Sequence, residues 1–142
     1  MTSPKAPSDR LGPLGAVRDL LQQRPQTLVT ASSDDTLRRV VSTMKSLGIS
    51  QLPVLDGTTL RGVVSEVDVL RNLVSGEAHL DSTIAGIFDT DYAAVHPDTP
   101  IEQLQAVLAE ARSALVTDGP ALLGIISKID LIDYLARRAT EG

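Results

Sequence analysis

The chain repeats itself, and that limits its possible folds more than any other feature. The stretch Gly62-Val63-Val64-Ser65-Glu66-Val67-Asp68-Val69-Leu70 is answered by Gly124-Ile125-Ile126-Ser127-Lys128-Ile129-Asp130-Leu131-Ile132, with glycine, serine and aspartate at a constant offset of 62 residues. The next apolar positions keep that offset: Val67, Leu70, Leu73 and Val74 correspond to Ile129, Ile132, Leu135 and Ala136. This spacing places each set on one stripe of an α-helix. Upstream, Leu37, Val40, Val41, Met44 and Leu47 form another helical stripe, answered by Ile101, Leu104, Val107, Leu108 and Ala111 at an offset of 64. The second repeat has therefore lost two residues between this helix and the strand after it.

Between helix and motif each repeat carries two apolar runs. Gln51–Leu55 and Leu60–Ser65 meet around Asp56-Gly57; Ala114–Val116 and Leu122–Ser127 meet around Asp118-Gly119-Pro120. Asp-Gly between apolar runs predicts a hairpin. A short strand, Leu28–Thr30 or Ala93–Val95, opens each repeat. The fold class is α/β: two pseudo-symmetric β-α-β-β-α repeats with two small sheets, spanning 16–76 and 77–138 and packed as one domain. A unit of this size is marginal alone, so the copies are expected to share a core. Residues 1–15, rich in Pro and Gly, read as a linker and 139–142 as a tail.

Composition removes several function classes. The net charge is −5, with 13 Lys and Arg against 18 Asp and Glu, so a nucleic-acid backbone is not the expected partner. There is no cysteine, which excludes disulfides and thiolate chemistry. His79 and His96 lack ligand-like spacing, so no metal site is expected. No apolar run is long enough to span a membrane and no signal-peptide pattern opens the chain, which makes a cytoplasmic protein the expectation. No serine–histidine–acid arrangement, phosphate-cradling glycine loop or cofactor-lysine motif points to an enzyme.

The residues able to carry chemistry are Ser65-x-x-Asp68 and Ser127-x-x-Asp130. One reading is a capping box at the start of a helix. The other is a ligand site: free N–H groups at the helix start and the serine hydroxyl meet an anion, and the aspartate accepts the hydroxyls of a ribose. Gly62 and Gly124 would then let a ligand approach the backbone.

With Gly48-Ile49-Ser50-Gln51-Leu52-Pro53-Val54, the motif at 62–70 and its counterpart at 124–136, residues from about 16 to 138 resemble a pair of CBS domains (a Bateman module). Within that family the likeness is to the C-terminal regulatory region of bacterial cystathionine β-synthases. The resemblance implies a non-catalytic regulatory module that takes S-adenosylmethionine, AMP or ATP as a regulatory ligand, with no covalently bound cofactor. It implies one ligand set of Ser127 and Asp130 with Thr27, Leu28, Ile49, Ser50, Gln51 and Leu52. A second set joins Ser65 and Asp68 to Tyr92, Arg112, Ser113 and Ala114. It further implies a homodimer formed through helical faces, here those of Leu37–Leu47 and Ile101–Ala111, and control of an attached catalytic domain or a partner enzyme. A structural or dimerising module with empty sites is the alternative.

The repeats also differ. Leu115 stands where the first repeat has Pro53, and Lys128 flanks Ser127 where Glu66 flanks Ser65. Arg112 or Arg61 could offset Glu66 near a phosphate. With aromatics limited to Phe88, Tyr92 and Tyr134, an adenine ring would be held mostly by aliphatic side chains and backbone. Phe88 and Tyr92 lie on the connection between repeats, where packing and base stacking are both open.

Overall fold

The computed structural model describes residues 14–23 and 28–141. In chain order these form α1 (Val17–Gln23), α2 (Leu37–Leu47), β1 (Gln51–Asp56), β2 (Thr59–Ser65), α3 (Glu66–Ser75), β3 (Ala93–Val95), α4 (Ile101–Leu108), β4 (Ser113–Asp118), β5 (Ala121–Ser127) and α5 (Lys128–Glu141). Of the linker expected at 1–15, residues 1–13 lie outside the described residues. Residues 139–141, expected as a tail, continue α5.

The hairpins form where the Asp-Gly turns require. Gly57 and Gly119 adopt φ of +63° and +60°, open to glycine without strain. Both ladders shift register at equivalent points, between Val54 and Leu55 and between Val116 and Thr117. The residues left over in these bulges are Arg61 and Leu123.

The opening strands differ. In the second repeat β3 pairs parallel to β4 from Ala93 to Val95, giving the order β3-β4-β5. In the first, the strand expected at Leu28–Thr30 does not form, and β1-β2 is a two-stranded sheet. A single parallel bridge remains at Ala31, whose N–H donates to Pro53 O (2.8 Å) and whose carbonyl accepts from Leu55 N–H (2.8 Å). Extending that ladder toward residue 29 needs an N–H from residue 53, and proline has none. Leu115 supplies it in the second repeat.

The chain divides into two compact units that are not contiguous repeats. One holds 29–92; the other holds 93–142 together with the residues up to 28. Each has its own cluster of buried residues. In the unit 29–92, Leu37, Val40, Leu52, Val54, Val64 and Ile84 are buried together. In the other, Val17 and Leu20 of α1 are buried with Ile101, Leu104, Ile126 and Tyr134. α1 opens the span expected for the first repeat, 16–76, yet belongs to the core of the unit that holds the second.

The two units cap the stripe-bearing helix in the same way, from outside the repeat. Ile101 N–H donates to Gly15 O (3.0 Å), and Leu37 N–H donates to Ser82 O (2.9 Å). Tyr134 adds a further tie, its hydroxyl donating to Leu14 O (2.7 Å), and burial raises its pKa. The stripe of α2 is covered within its unit except at Leu47, and Ile101, Leu104 and Leu108 of α4 are covered likewise. These helices therefore do not present the wide apolar faces expected for a dimer contact. The four most exposed large apolar residues among those described lie instead on α3 and α5: Leu70 (62% exposed), Val74 (79%), Ile129 (65%) and Ile132 (58%).

Candidate functional site

In each unit a hairpin strand runs straight into a helix, and the Ser-x-x-Asp motif sits at the junction. At the start of α3, the Ser65 backbone N–H and hydroxyl both donate to Asp68 Oδ2 (3.0 and 2.9 Å). Asp68 N–H donates back to Ser65 Oγ at 3.3 Å, closing a capping box. At the start of α5 the pattern recurs: Ser127 N–H and hydroxyl donate to Asp130 Oδ2 (2.8 and 2.9 Å), and Asp130 N–H donates to Ser127 Oγ (3.4 Å). Capping is thus real in both repeats. It engages one carboxylate oxygen and fixes the direction of the other. Asp68 is only 9% exposed, the one buried charged residue among those described.

The strand start of β1 or β4 lies beside each cap. Gln51 pairs with Ser65, and Ser113 with Ser127, in the antiparallel registers. Glu66 N–H donates to Ser50 O (3.0 Å), tying the first turn of α3 to the residue before β1. Leu52 and Ala114 are buried; Ile49 is half-buried against its unit's core. Each unit therefore gathers a strand start, a serine and an aspartate. Of the first implied ligand set, Ser127, Asp130 and Leu28 belong to one unit and Ile49, Ser50, Gln51 and Leu52 to the other. Of the second, Ser65, Asp68 and Tyr92 belong to one and Arg112, Ser113 and Ala114 to the other. Thr27 lies outside the described residues.

Charge separates the two junctions. Glu66 opens α3, where an acid complements the helix dipole. Lys128 opens α5, the wrong end of a helix for a cation, and its ammonium donates to Ala111 O (2.9 Å) one residue before the exposed Arg112. Arg71 Nη1 lies 3.7 Å from Asp68 Oδ1. Its counterpart at the same offset is Asp133, which instead accepts from Arg137 Nε (3.0 Å). Neither Arg71 nor the Ala111 carbonyl was among the residues expected at the site; the three-residue spacing from Asp68 to Arg71 is the one signal that could have found the former.

Gly62 has a different role from the one expected. A Cβ there would collide with the Asp89 carbonyl and the Phe88 ring, and Val63 and Asp89 exchange backbone hydrogen bonds of 2.9 Å in both directions. The close approach it permits is that of the protein's own connection. Phe88 accordingly packs against the core of the unit 29–92. No group of His, Asp and Glu able to hold a metal ion occurs among the described residues. No helix among them is long and apolar enough to cross a membrane.

The family model of the CBS domain matches residues 17–75 and again residues 84–137. The chain belongs to the CBS domain family. As a CBS pair it is similar, at 26% identity over 88% of its length, to an A-adding tRNA nucleotidyltransferase of Geobacter sulfurreducens. It is also similar, at 24% identity over 85%, to a cystathionine beta-synthase of Dictyostelium discoideum. The chain spans 14% and 25% of the length of these two relatives. Among solved structures, a CBS-domain protein of Burkholderia ambifaria MC40-6 shares 27% identity with a TM-score of 0.79, covering 86% of this chain and 94% of that one. The CBS domain pair of protein MJ0100, solved with 5′-methylthioadenosine and S-adenosyl-L-methionine, shares the fold at TM-score 0.77 and 20% identity, covering 89% of this chain and 99% of that one. CBSX2, solved with AMP, shares it at 0.73 and 21%, covering 88% and 98%.

Proposed function

We propose that this CBS pair is a non-catalytic regulatory module that binds an adenosine-containing ligand and thereby controls an attached or partner enzyme. The observation that carries the reading is the repeated junction: Ser65 with Asp68 and Ser127 with Asp130 hold the same hydrogen bonds at the same offset, each beside a strand start. The CBS pairs solved with S-adenosyl-L-methionine, 5′-methylthioadenosine and AMP support the ligand class. In this reading the second oxygen of each aspartate takes ribose hydroxyls. The serine and the helix start take the phosphate or carboxylate. Aliphatic side chains such as Ile49 and Leu52, or Ala114, border the adenine. S-adenosylmethionine, AMP and ATP are the candidates, and a cystathionine β-synthase type of catalytic domain is one candidate for the controlled enzyme. The module works in the cytoplasm as a homodimer, and the exposed Leu70, Val74, Ile129 and Ile132 of α3 and α5 are its contact residues.

A second reading, a structural or dimerising module with empty sites, is favoured by one observation: capping alone accounts for the serine–aspartate bonds. Thermal unfolding with and without adenosine ligands separates the two. A ligand at 100 times its dissociation constant should add about 2.7 kcal/mol of stability. Asp130→Ala should abolish that gain, at a cost of about 1 kcal/mol to the ligand-free protein through the lost capping contacts. Asp68→Ala reports on the other junction in the same way. If no adenosine compound shifts the wild-type transition, the structural reading stands.

A further inference from the structure

We propose that both histidines of the chain are acid-operated latches: protonating His79 and His96 loosens the turns that hold the starts of α2 and α1.

The two histidines occupy the same place in the same turn, His79-Leu80-Asp81-Ser82 and His96-Pro97-Asp98-Thr99. Each histidine N–H donates to the hydroxyl of the fourth residue (3.0 Å in both), and each Nδ1 accepts the aspartate N–H (3.3 and 3.0 Å). The carbonyls of these turns then take the first N–H groups of a helix. Leu80 O and Ser82 O accept from Arg38 and Leu37 of α2 (2.8 and 2.9 Å), and Pro97 O and Thr99 O accept from Arg18 and Val17 of α1 (both 2.9 Å). Each aspartate also pairs with the arginine of the helix it anchors, Asp81 with Arg38 and Asp98 with Arg18.

Histidine is not needed to build this turn. At Ser32-Ser33-Asp34-Asp35 a serine fills the same role: Asp34 N–H donates to Ser32 Oγ (3.3 Å), Ser32 N–H donates to Asp35 Oδ2 (2.9 Å), and Asp35 O accepts from Ile84 N–H (2.9 Å). Serine, asparagine and aspartate are the usual residues for such side-chain-to-backbone turns. What histidine adds is a charge that changes between about pH 5 and 8. A protonated imidazole has two donors and no acceptor, so the N–H of Asp81 or Asp98 loses its partner. Both histidines are exposed and so open to protons from solvent.

The surrounding charges favour the same outcome. Asp98 Oδ2 lies 3.6 Å from His96 Nδ1, and Asp118 Oδ1, at the end of β4, lies 3.3 Å from Nε2. An imidazolium there draws the Asp98 carboxylate away from Arg18 of α1. Around His79 the charges are those of Asp81 and of Arg38 on α2. In both turns the new positive charge stands at the positive end of a helix dipole, which weakens the anchored state.

Amide exchange of the full chain, followed by NMR at about pH 7.5 and about pH 5.5 and corrected for the intrinsic pH dependence of exchange, tests this. Protection of the Val17, Arg18, Leu37 and Arg38 N–H groups should fall about fivefold at the lower pH, the worth of one hydrogen bond. Ile84, held by the serine turn, should not respond. His79→Asn and His96→Asn keep an acceptor for the aspartate N–H but cannot titrate, so each should make its own helix start insensitive to pH and leave the other responsive. Equal protection at both pH values in the wild type, or an acid response that survives in these variants, would overturn the latch. Should a variant fail to fold, the wild type still gives an answer. Asp81 and Asp98 amide resonances should move as the imidazole resonances titrate, and resonances that stay fixed would overturn the latch equally.

Discussion

The two repeats place the same hairpin before the same capped helix, yet they differ in how the preceding segment joins the sheet. In the unit 93–142, β3 is a true parallel strand on β4; in the unit 29–92 only Ala31 reaches β1, because Pro53 withholds one N–H. What the first repeat lacks on that side it recovers elsewhere. The connection after α3 folds back so that Asp89 bonds Val63, and Gly62 leaves the room. The carboxylate that ends each inner strand is held differently as well. Asp56 accepts from the Ser33 hydroxyl (2.6 Å), the Ser33 N–H (3.0 Å) and Arg61 (3.1 Å), whereas Asp118 meets His96 Nε2 at 3.3 Å. A shared backbone frame thus tolerates different local partners, provided each buried or aligned polar group finds one.

The largest expected effect comes from forcing the second repeat to behave like the first. Leu115→Pro removes the N–H that β3 needs and alters a fully buried side chain. It should cost at least about 3 kcal/mol by urea denaturation. The reverse change, Pro53→Leu, should cost far less. Equal losses would show that proline does not set the difference between the sheets.

Next is Gly62→Ala, whose new methyl group displaces the Asp89 backbone. A destabilisation of about 2 to 3 kcal/mol is expected, in the range for overpacking. A neutral result would mean that the connection yields freely and that the first repeat does not depend on it.

Glu66→Lys copies the charge of α5 onto α3 and should lower stability by about 0.5 kcal/mol at low salt, less in high salt. A melting temperature that does not fall would remove the asymmetry of cost between the two helix starts.

The smallest effect is confined to acid. The Ser33 hydroxyl, then its N–H, hold the Asp56 carboxyl below its ordinary value of 3.8. A depressed carboxylate stabilises the fold above the unfolded value, and that contribution is lost as pH falls through the folded one. Asp56→Asn should therefore flatten the stability profile below about pH 4 and leave the slope near neutrality unchanged. A variant profile parallel to the wild type throughout would dismiss the Ser33 clamp.

Much of this was legible in the chain. Asp-Gly between apolar runs located both hairpins, since few other dipeptides turn so tightly, and the stripe from Leu37 to Leu47 coincides with α2. The Ser-x-x-Asp pairs marked both helix starts, and their capping bonds lie where the spacing put them. The helix expected to reach Ala111 stops at Leu108, because the two missing residues pull the chain into β4 early.

The features legible from the chain alone were local: the repeat, the hairpins, the turns, the caps and the charge at each helix start. These follow from contacts between residues a few positions apart. Tertiary structure decided which face of a helix is buried. Periodicity places Val67, Leu70, Leu73 and Val74 on one stripe of α3 but cannot say where it points, and the unit buries Val69 and the capped Asp68 instead. It also decided that α1 belongs with the core of the second repeat and that Gly62 serves Asp89. Those outcomes depend on pairs such as Val17 with Thr99 and Tyr134 with Leu14, far apart in the chain, whose meeting is fixed only when the whole unit excludes water.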